Sequence, residues 1–180
     1  AGAVSATGAA VQIRDTNALT LGTVSTTGNV TMVSTGALDL GTSTVTGAFS
    51  ASSGNGHITQ SGVLSVLSTI ELNAGNGNIT LMNAGNNLGN PVSAAGGDIQ
   101  ITNYSALALN SLDASGNATL ISGTGAVSQT GVMRVGGTTS VTATNVNLDN
   151  SSNDFNGVVT VTAAQTSLRD INNLTAVLNT

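Results

Sequence analysis

The chain has 180 residues, a net charge of −5 and no cysteine, with 6% charged and 2% aromatic residues. Without cysteine there is no disulfide frame, zinc–thiolate site or thiol nucleophile, and three Arg with no Lys cannot make the basic stripe that a nucleic acid needs. No run approaches the roughly 18 apolar residues that would cross a bilayer as a helix.

Short strands follow one another from the start. Ala10–Arg14, Ala18–Leu21, Asn29–Val33, Ala37–Leu40, Ile70–Asn73, Asn78–Met82, Asp98–Thr102, Ala106–Leu109, Asn117–Ile121, Thr139–Ala143 and Val158–Thr162 each alternate apolar with polar side chains, as in Val30-Thr31-Met32. Val, Ile and Thr suit such strands. Gly-Asn, Asn-Gly, Ala-Gly-Asn and Ser-Gly punctuate them, and these are strong turn signals. No stretch reads as a helix. The strands lie too close together for helical crossovers, which argues against βαβ units. A hydrophobic content of 39% opposes disorder. Pro91 is expected at a corner, where it need not donate to a strand ladder. Ala1 already lies inside the pattern, so no signal peptide is expected and the chain reads as part of something longer.

Internal repetition outranks these local assignments. Ile58–Val92 reads ITQSGVLSVLSTIELNAGNGNITLMNAGNNLGNPV, and Val127–Val159 reads VSQTGVMRVGGTTSVTATNVNLDNSSNDFNGVV. Gln60 matches Gln129 and Gly62 matches Gly131, both 69 apart; Leu81 matches Leu148 and Asn86 matches Asn153, both 67 apart. Val11–Leu19, Ile99–Leu107 and Thr166–Leu174 form a second matched set, at offsets of 88 and 67. A structural coil of roughly 22 residues fits these offsets as four and three coils. The expected fold is therefore an all-β parallel solenoid, a single β-solenoid segment over 1–180, of roughly eight coils. At a strand spacing near 4.8 Å that is a rod of roughly 40 Å.

AVSQTG (Ala126–Gly131), GGTTSVTAT (Gly136–Thr144), VNLDNSSNDFNG (Val146–Gly157) and ALTLG (Ala18–Gly22) resemble the haemagglutinin-type repeats of filamentous-haemagglutinin-like large exoproteins. The resemblance covers essentially the whole chain. It implies a right-handed parallel β-helix, secretion by the two-partner route through an outer-membrane transporter, and a place in the shaft of a bacterial surface fibre that meets host or neighbouring cells. No secretion-domain or toxin-domain motif is visible. Lack of disulfides and short-range contacts suit a chain that folds as it emerges from a pore.

No catalytic constellation stands out. Asparagines at turns (Asn73, Asn76, Asn78, Asn83, Asn86, Asn87, Asn90, Asn150, Asn153, Asn156) are expected to satisfy turn backbone rather than bind glycans or ligands. Arg14-Asp15 and Arg169-Asp170 read as exposed ion pairs at equivalent coil positions. Asp149 and Asp154, with Asn150 and Asn153, form the densest oxygen cluster, but their spacing fits no calcium loop. His57, the single histidine, is expected at a turn. Thr-x-Thr pairs such as Thr160-Val161-Thr162 do not recur at each period, against an ice-binding face. Expected catalytic, cofactor and metal residues are thus none. The leading expectation is a structural shaft acting as a rigid spacer and adhesive surface, with no nucleic-acid partner. A solenoid that self-associates end to end into a filament is the alternative. A polysaccharide-cleaving β-helix enzyme comes third, because eight acids and three Arg look too few and too scattered for its groove.

Overall fold

The computed structural model describes residues 2–89 and 91–180. Ala1 and Asn90, used above as the start of the pattern and as a turn asparagine, lie outside the described residues.

Alternation of Val, Leu and Ile with Ser, Thr and Asn produces short strands, and the Gly- and Asn-rich breaks turn the chain between them. In chain order these are β1 (Val4–Gly8), β2 (Val11–Asp15), β3 (Leu19–Thr26), β4 (Val30–Ser34), β5 (Leu38–Asp39), β6 (Thr42–Val45), β7 (Phe49–Ser53) and β8 (Ile58–Thr59). Then follow β9 (Leu64–Val66), β10 (Ile70–Asn73), β11 (Ile79–Leu81), β12 (Asn87–Leu88), β13 (Val92–Gly96), β14 (Ile99–Asn103), β15 (Leu107–Ala114) and β16 (Ala118–Ser122). The last are β17 (Val127–Gln129), β18 (Met133–Val135), β19 (Thr139–Thr142), β20 (Asn145–Leu148), β21 (Asp154–Phe155), β22 (Val159–Thr162), β23 (Gln165–Leu168) and β24 (Ala176–Asn179). No helix occurs among the described residues.

All the pairings are parallel, and each strand pairs with the one a full coil away. The chain makes about nine coils with three faces. The first face carries β1, the second half of β3, β6, β9 and β12, and then the start of β15, β17, β20 and β23. The second carries β2, β4, β7, β10, β13, the end of β15, β18 and β21. The third runs unbroken from the first half of β3 through β5, β8, β11, β14, β16, β19 and β22 to β24. Strand β3 itself bends round a corner: Leu19 pairs with Leu38 on the third face and Thr23 with Thr42 on the first.

The core is a narrow column of stacked aliphatic layers. On the third face one inward row is Leu19, Leu38, Ile58, Ile79, Ile99, Ala118, Thr139 and Val159, all buried. The lumen also admits two rings. Phe49 stacks between Val30 and Ile70 with the small Ala51 beside it, and Phe155 stacks on Val135. Pro91 stands at the corner before β13, where its carbonyl accepts the Ile70 N–H at 3.1 Å.

The coil is shorter than the offsets imply. Third-face partners run from Leu19 to Ala176 in eight steps, and 157 residues over eight steps is about 20 per coil. An offset of 67 is therefore three and a third coils, and 88 is four and a third. Leu81 lies on the third face and its match Leu148 on the first. The sequence repeat thus advances by one face each time, because a three-sided coil accepts a strand-for-strand shift of one side without disturbing the alternation. Whole coils of 22 residues are ruled out by this register.

Candidate functional site

The matched residues Gln60–Asn86 and Gln129–Asn153 build two copies of one buried network. Asn86 ends a tight turn closed by its own N–H on the Asn83 carbonyl (3.1 Å), and its side chain is fully buried. Its Oδ1 accepts from Gln60 Nε2 at 2.8 Å and from the Leu64 N–H at 3.0 Å. Its Nδ2 donates to Gln60 Oε1 (2.8 Å) and to the carbonyls of Thr102 (3.2 Å) and Leu81 (3.4 Å). Gln60 Nε2 also reaches the Gly62 carbonyl.

The second copy repeats each contact. Asn153 Oδ1 accepts from Gln129 Nε2 at 2.7 Å and from the Met133 N–H at 3.0 Å. Its Nδ2 donates to Gln129 Oε1 (2.8 Å) and to the carbonyls of Leu148 (3.0 Å) and Arg169 (3.3 Å). Gln129 Nε2 reaches the Gly131 carbonyl. Each network ties three successive coils at one corner. The first lies between the third and first faces, the second between the first and second. Every polar atom of the amide pair is engaged by protein, so the lock is structural. In a low-dielectric interior an amide left unpaired there would cost about 1–3 kcal/mol.

A second polar device runs along the corner before the third face. His57 Nδ1 accepts the Asn78 N–H, Asn78 Oδ1 the Asp98 N–H, Asp98 Oδ1 the Asn117 N–H, and Asn117 Oδ1 the Thr138 N–H, at 2.7 to 3.0 Å. Each coil's side chain thus satisfies the next coil's backbone, which a column of hydrogen-bond acceptors can do only when coils stack in register. His57 is a turn residue, as expected, and Asn73, Asn83 and Asn150 cap their own turns by accepting an N–H two residues on.

Other expected candidates separate. Arg14 lies on the second face opposite Val33, whereas Arg169 follows β23 on the first face, so the two are equivalent in the repeat but not in the coil. Among the described residues neither Arg closes an ion pair. Asp15 caps Asn17 instead (2.8 Å), and Asp170 accepts the Phe155 N–H (3.0 Å). Asp149 and Asp154 do not converge with their neighbours: Asn153 turns inward into the lock, and Asp154 accepts from Asn172 Nδ2 at 2.9 Å. No group of three or more His, Cys, Asp or Glu is placed to hold a metal among the described residues.

The structure assembles one cleft that the sequence reading did not single out. On the second face Glu71 pairs with Ser93 and Ser93 with Ser111; Asn73 pairs with Ala95, Ala95 with Asp113, and Asp113 with Arg134. Ser93 and Ala95 are small, so β13 forms the floor of a trough of about 280 Å³ between larger neighbours. An extra residue, Asn110, bulges from β15 where the register shifts, and its Nδ2 donates to Ser93 Oγ at 3.1 Å. Bulges re-aim side chains beside them. The signal for this cleft was spacing: Asp113 and Arg134 are 21 apart, one coil. A period of 22 with whole-coil offsets hid it.

One family model matches the chain, described as Repeats of unknown function (DUF5649), over residues 8–38, 27–95 and 96–162. The chain belongs to this family. The DUF5649 stretches 27–95 and 96–162 are 69 and 67 residues long, which are the offsets between the two locks. A DUF5649 unit is therefore three and a third coils: one stretch opens just before β4 on the second face, the next just before β14 on the third. No curated protein and no solved structure matches the chain.

Proposed function

We propose that this DUF5649 segment is a rigid spacer, part of the shaft of a secreted bacterial surface fibre. The observation that carries the reading is the unbroken parallel stack of the third face through nine strands, with each coil touching only its neighbours. Such a quasi-one-dimensional body gains length, not an enclosed chamber, from each added unit. The resemblance to filamentous-haemagglutinin-like repeats supports export by an outer-membrane transporter and display toward other cells, with the solenoid serving as support and adhesive surface rather than as an enzyme. Electron microscopy of the purified chain is expected to show uniform rods roughly 40 Å long, from eight spacings of about 4.8 Å. Flexible or globular particles would refute the spacer. Antibody labelling of intact producing cells tests surface display, and label seen only after lysis would refute it.

One observation favours end-to-end filament formation as a second reading. Strand β24 pairs on one side only, and its Val177 and Leu178 are about half exposed although Leu178 continues the inward row of Val141 and Val161. An open strand edge with apolar side chains templates another coil. Concentration-dependent sedimentation into fibres, abolished by Leu178→Asp, is the expected outcome; a monomer at all concentrations would refute it.

A further inference from the structure

We propose that the second-face cleft of β10, β13, β15 and β18 binds a short saccharide whose sugars carry free amines. Three observations converge there. First, charge is concentrated: the whole chain has eight acids and three Arg, yet Glu71, Asp113 and Arg134 are three of the eleven residues lining this trough. Second, those three side chains are unspent. Among the described residues none makes a side-chain hydrogen bond or ion pair, although Asp113 and Arg134 are direct register partners. Elsewhere polar side chains that face turns cap backbone; here they face solvent over a trough. Third, the trough is shaped by sequence, through the small residues of β13 and the Asn110 bulge.

The chemistry selects the ligand. Two carboxylates and one guanidinium leave a net charge of −1, which repels uronates and attracts ammonium groups. Glu71 and Asp113 are two strands apart, about 10 Å along the stack. An extended sugar chain lying along the fibre axis can therefore set one amine near each carboxylate, separated by the length of the chain between them. Ser93, Ser111 and Asn73 exchange hydrogen bonds with ring hydroxyls, and Ala95 packs under the ring face. Arg134, at the end of the trough, donates to a hydroxyl or ring oxygen. The cleft is open, so it holds a passing chain. The inference does not need the spacer reading: a rod without this affinity would leave that reading intact, and affinity without rods would leave this one.

The test is a titration of the isotope-labelled full chain with the glucosamine trisaccharide, cellotriose and trigalacturonate, followed by amide NMR shifts. The glucosamine trisaccharide is expected to shift the amides of Ser93, Ala95, Ser111 and Asp113 and to bind at least tenfold more tightly than the other two. Combined Glu71→Gln and Asp113→Asn substitution is expected to weaken it tenfold or more with the melting temperature unchanged, since both side chains are exposed. Absence of shifts at these amides, equal or tighter binding of cellotriose or trigalacturonate, or unchanged affinity in the double variant would overturn the proposal.

Discussion

The two Gln–Asn locks share every donor and acceptor, yet they end differently. Beyond the first, Asn103 is fully buried: its Oδ1 accepts the Leu88 N–H at 2.8 Å and its Nδ2 donates to the Ala106 carbonyl at 2.7 Å. Beyond the second, the matching position is Asp170. Its Oδ1 accepts the Phe155 N–H in the same way, but Oδ2 is buried with no partner, because a carboxylate has no hydrogen to give. The exposed residues that follow also match, Tyr104 at 60% and Ile171 at 65% exposure. The first lock lies deep in the stack, while the second reaches the last coil, where β23 and β24 are largely exposed. The same sequence signal therefore makes the same network, and position in the stack decides how completely its surroundings are satisfied.

The largest effect is expected from Asn86→Ala. It leaves the Gln60 amide, the Leu64 N–H and two carbonyls without partners, and should cost about 4 kcal/mol, read from urea unfolding. Asn153→Ala removes the same contacts nearer the open end and should cost about 3 kcal/mol; equal losses would show that the stack is uniformly stable along its length. Gly131→Ala should cost about 2 kcal/mol, because a Cβ there would overlap the fixed carbonyl oxygen of Asn110. The matching Gly62 faces the Thr42 hydroxyl, which can rotate away, so Gly62→Ala should be milder. Asp170→Asn should stabilise by about 1 kcal/mol by supplying the missing donor, raising the melting temperature; a loss would mean that the carboxylate is served from outside the segment. Thr139→Val should stabilise by a similar or smaller amount, about 0.5–1 kcal/mol, since the Thr139 hydroxyl is buried without a partner in an otherwise aliphatic row.

Much of the architecture was legible in the sequence. Ile70–Asn73 is a strand with the bounds expected, and Asn29–Val33, Asp98–Thr102 and Asn117–Ile121 differ from theirs by a residue. The matched Gln60, Asn86, Gln129 and Asn153 were visible as a repeat, but not as a hydrogen-bonded lock, since spacing alone does not say which side chains turn inward. The coil length was misread because a repeat that returns on the neighbouring face looks, in one dimension, like one that returns on the same face. That error also concealed the cleft, whose charged residues become neighbours only at a period near 20.

By itself the sequence determined the all-β class, the parallel stacking, the thin aliphatic core and the absence of a basic or thiol-bearing site, because alternation, turn residues and composition are local properties that each coil repeats. Only the tertiary structure decided the register. A third of a coil in the offset sets which face each repeat presents, brings Glu71, Asp113 and Arg134 to one trough, and sends Asn86 and Asn153 into the core. Such placements depend on the rise and the number of sides of the stacked coil, which a linear pattern does not encode.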